Sequence, residues 1–314
     1  MPLPESKLSR IRLGYACVNL SLGRHGLTSR TCRLRNATRV RLEALTRANL
    51  EGLSRVLHWN MSQRIRFFRI SSGVIPLASH PKVQWPWEKV LAQELAEIGR
   101  FIKSRNMRVS MHPGQYVVLN SPHRSVVRAA KAELSYHADF LDQLSVDSKH
   151  KIILHIGGVY GDRNASMRRF STQSETLPKN VLSRLVLEND ERSYGAEDAL
   201  LLCETLGIPM VFDYLHQTAL SGQFPNREIL TRVCESWLVS DGRAEFHYST
   251  QRRGSRAGSH ADMIDFQDFL RFLKVLPSRS ADVMLEAKAK DLALLTLRRQ
   301  LWARSQRLKG WDVT

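Results

Sequence analysis

Eight short apolar runs, each followed by a stretch of helical periodicity, limit the folds open to this chain more than any other feature. The runs cover residues 11–18, 65–70, 107–111, 151–155, 184–188, 209–213, 244–248 and 282–286. Hydrophobicity this continuous predicts strands covered on both faces, the habit of parallel sheets. Helices are expected over residues 40–58, 87–103, 125–144, 195–206, 226–239, 265–276 and 287–304. Leu91, Leu95, Ile98 and Ile102, for example, recur at the spacing of one helix face. Gly207-Ile208-Pro209 is a helix stop that feeds a strand. Residues 161–179 are polar and rich in Ser and Arg, and are expected to form a long loop with one short helix.

Eight β/α alternations in 314 residues predict an α/β protein built as a single (β/α)8 TIM barrel. The whole chain, 1–314, is expected to be one domain, with the barrel core over 10–290 and a final helix and tail over 287–314. An open doubly wound sheet would more often carry a Gly fingerprint after strand one, and Gly14-Tyr15-Ala16-Cys17-Val18-Asn19 is not one. No apolar run approaches the ~18 residues of a membrane span, and residues 1–12 lack the apolar centre of a secretory signal. Cys17, Cys32, Cys203 and Cys234 are widely spaced, as in a reduced cytosolic protein. A cytoplasmic chain is therefore expected, nucleoid-associated in a prokaryote. The net charge of +17 favours contact with a polyanion, although a basic surface by itself is also a solubility device.

In such a barrel the C-terminal strand ends converge on one mouth. Strands three, four, five, six and eight end at His112, His155, Glu188, Asp213 and Glu286, while strand seven carries Glu245 and His247 on one side. His216 and His260 lie just beyond strand ends. His, Asp and Glu make up about 13% of the chain, so six successive strand ends would each hold one roughly twice in a thousand trials. Alone, His112 or His155 is more often a hydrogen-bonded structural histidine, Asp213 an N-cap, and Glu286 a partner for Lys288 or Lys290. Glu188 is different. A carboxylate that closes the run Leu185-Val186-Leu187 needs a cation or several donors. A nitrogen and oxygen set without sulfur suits Zn2+, Mn2+ or Fe2+ rather than Ca2+ or an iron–sulfur centre. Even without Glu245, eight such ligands exceed one ion, which implies two or three clustered metals.

Leu13-Gly14-Tyr15 with Asn19, Phe68-Arg69-Ile70-Ser71-Ser72, Ser110-Met111-His112-Pro113-Gly114-Gln115-Tyr116, Leu154-His155-Ile156-Gly157-Gly158, Leu187-Glu188-Asn189-Asp190 and Phe212-Asp213-Tyr214-Leu215-His216 together resemble the motifs of the UV-damage endonucleases. The resemblance runs from strand one to strand eight. That family shares its barrel and metal cage with the endonuclease IV abasic-site enzymes. It cuts DNA immediately 5′ of pyrimidine photoproducts (cyclobutane dimers and 6-4 products), leaving a 3′-hydroxyl.

The resemblance implies His112, His155 and Glu188 at a first metal, and Glu188, Asp213, His247 and Glu286 at a second. His216 and His260 would hold a third, helped by Asp262. Mn2+ is the usual activating ion, with Zn2+, Mg2+ or Co2+ as alternatives. Glu188, Glu286 and Glu245 would take catalytic roles, around a metal-bound hydroxide attacking phosphorus. Gln115 and Tyr116 would probe the duplex at the lesion, and Tyr15 and Asn19 would face the extruded photoproduct. The implied partner is UV-damaged double-stranded DNA met by a monomer, with no membrane. Arg163, Arg168, Arg169, Arg252, Arg253 and Arg256, after strands four and seven, would line the DNA side of the mouth.

One position departs from the family pattern. A lysine able to carry a carbamate often stands two residues before the strand-seven histidine, where this chain has Glu245. Glu245 is expected to supply negative charge unmodified, touching the metals directly or through water. Two other functions use similar chemistry: a general abasic-site endonuclease, and a divalent-metal sugar isomerase or epimerase, which does not require a large cationic rim. A basic nucleic-acid-binding barrel with an idle site is the non-enzymatic alternative.

Overall fold

The structure, a computed structural model, describes residues 10–277 and 280–307. Eight parallel strands close into a barrel in chain order: β1 (Ile11–Ala16), β2 (Phe67–Ile70), β3 (Arg108–Met111), β4 (Ile152–His155), β5 (Leu185–Glu188), β6 (Met210–Asp213), β7 (Ala244–Tyr248) and β8 (Ala281–Leu285). The ring shuts where β1 pairs with β8, Arg12 opposite Asp282 and Gly14 opposite Met284. Each predicted strand is present, shortened or shifted by up to two residues at its ends.

Around the barrel run α1 (Arg39–Ser62), α2 (Ala92–Ser104), α3 (Arg124–Gln143), α4 (Arg163–Ser174), α5 (Ala196–Leu206), α6 (Tyr214–Ser221), α7 (Arg227–Glu235), α8 (Phe266–Val275) and α9 (Lys290–Arg307). Leu95, Ile98 and Ile102 of α2 are buried, as their spacing predicts. The helix expected over 87–103 is interrupted at Leu91, which separates a one-turn helix, Trp87–Val90, from α2. α5 ends at Gly207 in the left-handed region, φ 65°, where glycine carries no Cβ penalty. None of the helices among the described residues is long and apolar enough to cross a membrane.

Two helices differ from expectation. The polar stretch after β4 folds as the three-turn α4, whose N-cap Asp162 accepts the Ala165 N–H at 2.9 Å, followed by the one-turn helix Lys179–Leu182. α4 is too polar to show an apolar stripe, and Phe170 alone supplies a large anchor in the core. The short α6 starts directly on β6, with Asp213 as its N-cap accepting the His216 N–H at 2.7 Å. It follows the strand with no intervening turn residue, so no composition signal separates the two.

Inside the barrel, alternate residues stack in layers, as the two-residue period of a strand requires. The floor is ionic. Fully buried Asp282 accepts from Arg12 (2.6 and 2.7 Å) and Arg108 (2.8 Å), with Arg243 Nε 3.2 Å away. Above it lie Phe67, Met284 and Ser110, and a Cβ on Gly14 would meet Phe67 Cδ1 at 2.6 Å, so only glycine lets β1 pass that ring. The third layer is the mouth.

Candidate metal centre

Glu188 ends β5 with its side chain fully buried, and three imidazoles converge on it. His112 Nε2 lies 2.7 Å and His155 Nε2 3.3 Å from its Oε2, while His247 Nδ1 lies 2.5 Å from its Oε1. Two groups of ligand atoms, each within 4.8 Å of one another, share this carboxylate: His112, His155, Glu188, and Glu188, Asp213, His247, Glu286. These are the residues the sequence places at strands three to eight, drawn together by closure of the ring.

The loops that carry them are locked. Ser72 Oγ donates to the His112 carbonyl at 2.6 Å, holding the turn after β3 against that after β2. Asn189 clips β5 to β6, donating to the Asp213 carbonyl at 3.0 Å and accepting its N–H at 2.9 Å. Asp190 accepts the N–H groups of Arg192, Ser193 and Tyr194, which fixes the turn that follows.

Tautomers follow from the outer ring nitrogens. Nδ1 of His112 lies 2.8 Å from the Pro113 carbonyl, that of His216 3.1 Å from the Asn189 carbonyl, and that of His260 2.6 Å from the Glu286 carbonyl. Each ring therefore keeps a proton on Nδ1 and, once neutral, offers its lone pair on Nε2. For His112 that lone pair faces a carboxylate oxygen, an arrangement that calls for a cation between them. Asp213 Oδ2 and His155 Nδ1 are buried and have no hydrogen-bond partner. Together with the sulfur-free donor set, these features fit a divalent metal.

Charge is strongly biased. Burial works against ionisation of Glu188, but His247, His155 and His112 outweigh it and hold the carboxyl well below the usual range. Burial pushes His155 down to about 3, leaving it a neutral ligand. At His216 burial is outweighed by Asp213 and Glu188, which push it up to about 9. Burial pushes Asp213 up.

Arg69 is the residue sequence reasoning missed as part of the centre. Its buried guanidinium donates to Glu286 Oε1 and lies 2.6 Å from His247 Nε2. The available signal was its position between Phe68 and Ile70 in an apolar strand, where a charge points to a polar barrel interior. Burial and Arg69 both work against a charge on His247, yet Glu188 and Glu286 push it up to about 10.

The remaining expectations divide. Gln115 and Tyr116 project as the exposed tip of a turn closed by Val117 N–H to the Gly114 carbonyl at 2.9 Å, with Tyr116 73% exposed. Tyr15 and Asn19 do not face the mouth. Tyr15 lies on the outward parity of β1, fully buried, its hydroxyl donating to Asn60 Oδ1 of α1 at 2.6 Å and accepting from Asn19 Nδ2 at 2.8 Å. The pair that was expected at the lesion instead anchors the β1–α1 loop, because neighbours of the inward-facing Gly14 and Ala16 must point the other way.

His216 and His260, expected at a third ion, have ring centroids 6.3 Å apart and fall outside both ligand groups. Glu191 Oε2, 3.9 Å from His216 Nε2, is nearer than Asp262, which is exposed. Glu245 sits beneath the ligands rather than among them. Arg163 and Arg169 lie on α4 and serve the fold, pairing with Asp198 (2.5 Å) and the Asn120 carbonyl (2.9 Å). Arg252, Arg253 and Arg256 are exposed, as are Arg33 and Arg35 on the loop after β1, which the sequence had not singled out.

The chain is similar to known proteins over most of its length. The family model for UV-endonuclease UvdE matches residues 11–309. A UV DNA damage endonuclease of Clostridium perfringens is 38% identical over 287 residues, covering 91% of this chain and 69% of that protein. Another, from Halalkalibacterium halodurans, is 33% identical over 304 residues, covering 93% of this chain and 94% of that protein. The crystal structure of SacUVDE superposes with a TM-score of 0.88 at 38% identity, over 94% of this chain and 99% of that one. With the family match spanning the barrel from its first strand to its last helix, the chain belongs to the UV-endonuclease UvdE family.

Proposed function

We propose that this protein is a metal-dependent DNA repair endonuclease that incises immediately 5′ of UV photoproducts and leaves a 3′-hydroxyl. The observation that carries this reading is Glu188, shared by two ligand groups at the mouth of the barrel. When bound, a pair of divalent ions, Mn2+ foremost, supplies Lewis-acid charge to the phosphate oxygens and a water made nucleophilic at neutral pH. His112 and His155 bind at one side of Glu188, and Asp213, His247 and Glu286 at the other.

The exposure of Tyr116 at the tip of its turn supports a role in replacing base stacking lost where a photoproduct leaves the helix, with Gln115 bonding the bases left unpaired. A photodimer already pairs weakly, so its extrusion costs less than that of intact DNA. Arg33 and Arg35 after β1 and Arg252, Arg253 and Arg256 after β7, on strands flanking β8, supply exposed cationic charge suited to phosphates. That charge favours DNA over a small sugar.

The test uses matched duplexes bearing one cyclobutane dimer, one abasic site or no lesion. Protein stripped with a chelator and restored with Mn2+ is expected to cut the dimer duplex at the phosphodiester directly 5′ of the lesion. Faster cutting of the abasic duplex would reassign the protein to abasic-site repair. Absence of incision on all three at every metal concentration would overturn the enzymatic reading.

A further inference from the structure

His247 breaks the pattern of its neighbours. His112, His216 and His260 each rest Nδ1 against a backbone carbonyl. His247 instead turns Nδ1 inward, 2.5 Å from Glu188 Oε1 and 3.5 Å from Glu286 Oε1. Its outer nitrogen, Nε2, faces no carbonyl. It faces two side chains, Arg69 Nη2 at 2.6 Å and Glu245 Oε1 at 3.3 Å.

A neutral imidazole that gives the Nδ1 lone pair to a cation carries its proton on Nε2, and that proton needs an acceptor. A guanidinium has only donors. Glu245 is the acceptor within reach, two residues back on the same face of β7. It is fully buried and braced from below: Ser110 Oγ donates to its Oε1 at 3.3 Å, and Arg108 Nη2 lies 3.6 Å from its Oε2. Arg108 is itself tied to Asp282 on the barrel floor at 2.8 Å. The chain of contacts thus runs from the ionic floor through Glu245 to a ligand of the second group.

We propose that Glu245 is a positioning residue that accepts the Nε2–H of His247 and so turns Nδ1 toward the ion of the Glu188, Asp213, His247, Glu286 group. It belongs to neither ligand group and acts through the ring. Arg69 then keeps Glu286 and yields Nε2. This inference rests on the metal-centre reading, and the two can fail separately.

The test is Mn2+ binding by titration calorimetry, with metal content by mass spectrometry and visible absorption of the Co2+ form, on wild type and Glu245→Gln. The amide keeps shape and an acceptor oxygen but loses the charge, and a circular dichroism melt checks folding. Glu245→Gln is expected to bind as many ions as wild type, with one class weakened 10–100-fold, the usual effect of losing such a partner, and the other class unchanged. Its Co2+ spectrum should keep the wild-type intensity, because no ligand is lost. Selective weakening of one class is what a general packing defect would not produce. Unchanged isotherms would overturn the proposal while leaving the metal centre intact. Loss of a whole ion, or a Co2+ spectrum showing a lost ligand, would make Glu245 a direct ligand and overturn it as well. A wild-type protein that binds no divalent ion would overturn the metal centre and this inference together.

Discussion

Replacing Glu188 by Gln tests whether one carboxylate serves two ions. The change is nearly isosteric, so the fold loses little volume, but both ligand groups lose their shared anion. An ion present at 100 times its Kd stabilises the folded state by about 2.7 kcal/mol. Unfolding entropy of about 2.1 cal/mol/K per residue gives about 0.66 kcal/mol/K for 314 residues, so each ion should raise Tm by about 4 °C, and two by about 8 °C. In Glu188→Gln the first group falls to two histidines and the second loses its inward anion, so the metal-induced shift should shrink to below about 2 °C. His155→Ala and Asp213→Asn, each in one group, should retain about half of the wild-type shift. Differential scanning fluorimetry with and without Mn2+ reads the shift directly, and the change in baseline stability of each variant cancels. A Glu188→Gln protein that keeps half the shift or more would refute the sharing of the carboxylate.

Other expectations follow from the same contacts. Asp282→Asn leaves the buried guanidinium of Arg108 and the partly buried Arg12 and Arg243 without their anion, which should cost about 3–5 kcal/mol, or about 5–8 °C in Tm. An unchanged melt would show that the ionic floor contributes nothing. His216, pushed up to about 9 against an ordinary 6.5, stabilises the ion-free protein below pH 6.5 and loses that contribution as pH rises through 9. It holds a proton at pH 7, and cations beside Glu188, 3.8 Å from its Nδ1, should expel it. His247, pushed up to about 10, must likewise lose a proton to bind an ion, so calorimetry in two buffers of different ionisation enthalpy should record about two protons released per protein at pH 7, and Mn2+ affinity that rises with pH up to about 10. Tyr116→Ala, at an exposed tip, should leave Tm within about 0.5 kcal/mol of stability yet lower kcat/KM on a dimer duplex about 5- to 150-fold, the range of one lost stacking contact. Undiminished kcat/KM would remove Tyr116 from lesion recognition.

Much of the centre was visible in one dimension because strand ends are local features. The run Leu185-Val186-Leu187 announces burial, and the carboxylate that follows announces a polar mouth. Asp213 shows how two readings can hold at once: it caps α6 through Oδ1 while Oδ2 stays unpartnered toward the site. Tyr15 was legible and misjudged. The same parity that puts Glu245 and His247 on one side puts Tyr15 outside the ring, against Asn60 of α1. α4 is longer than the one short helix expected there because it is held by its Asp162 cap and the large apolar anchor Phe170 rather than by an apolar stripe that would mark its length.

Local order alone, then, set the number of strands, their parallel sense and the kinds of side chain delivered to the mouth, because burial pattern and turn chemistry act over a few residues. Which atoms meet was settled in three dimensions. Arg12 reaches Asp282 across 270 positions, and Arg69 reaches Glu286 across 217, only because β1 closes on β8 in one register. The proton position on His112, the layer occupied by Glu245 and the cation at Arg69 all follow from that closure. They depend on distances of a few ångströms between segments whose order along the chain carries no information about their separation in space.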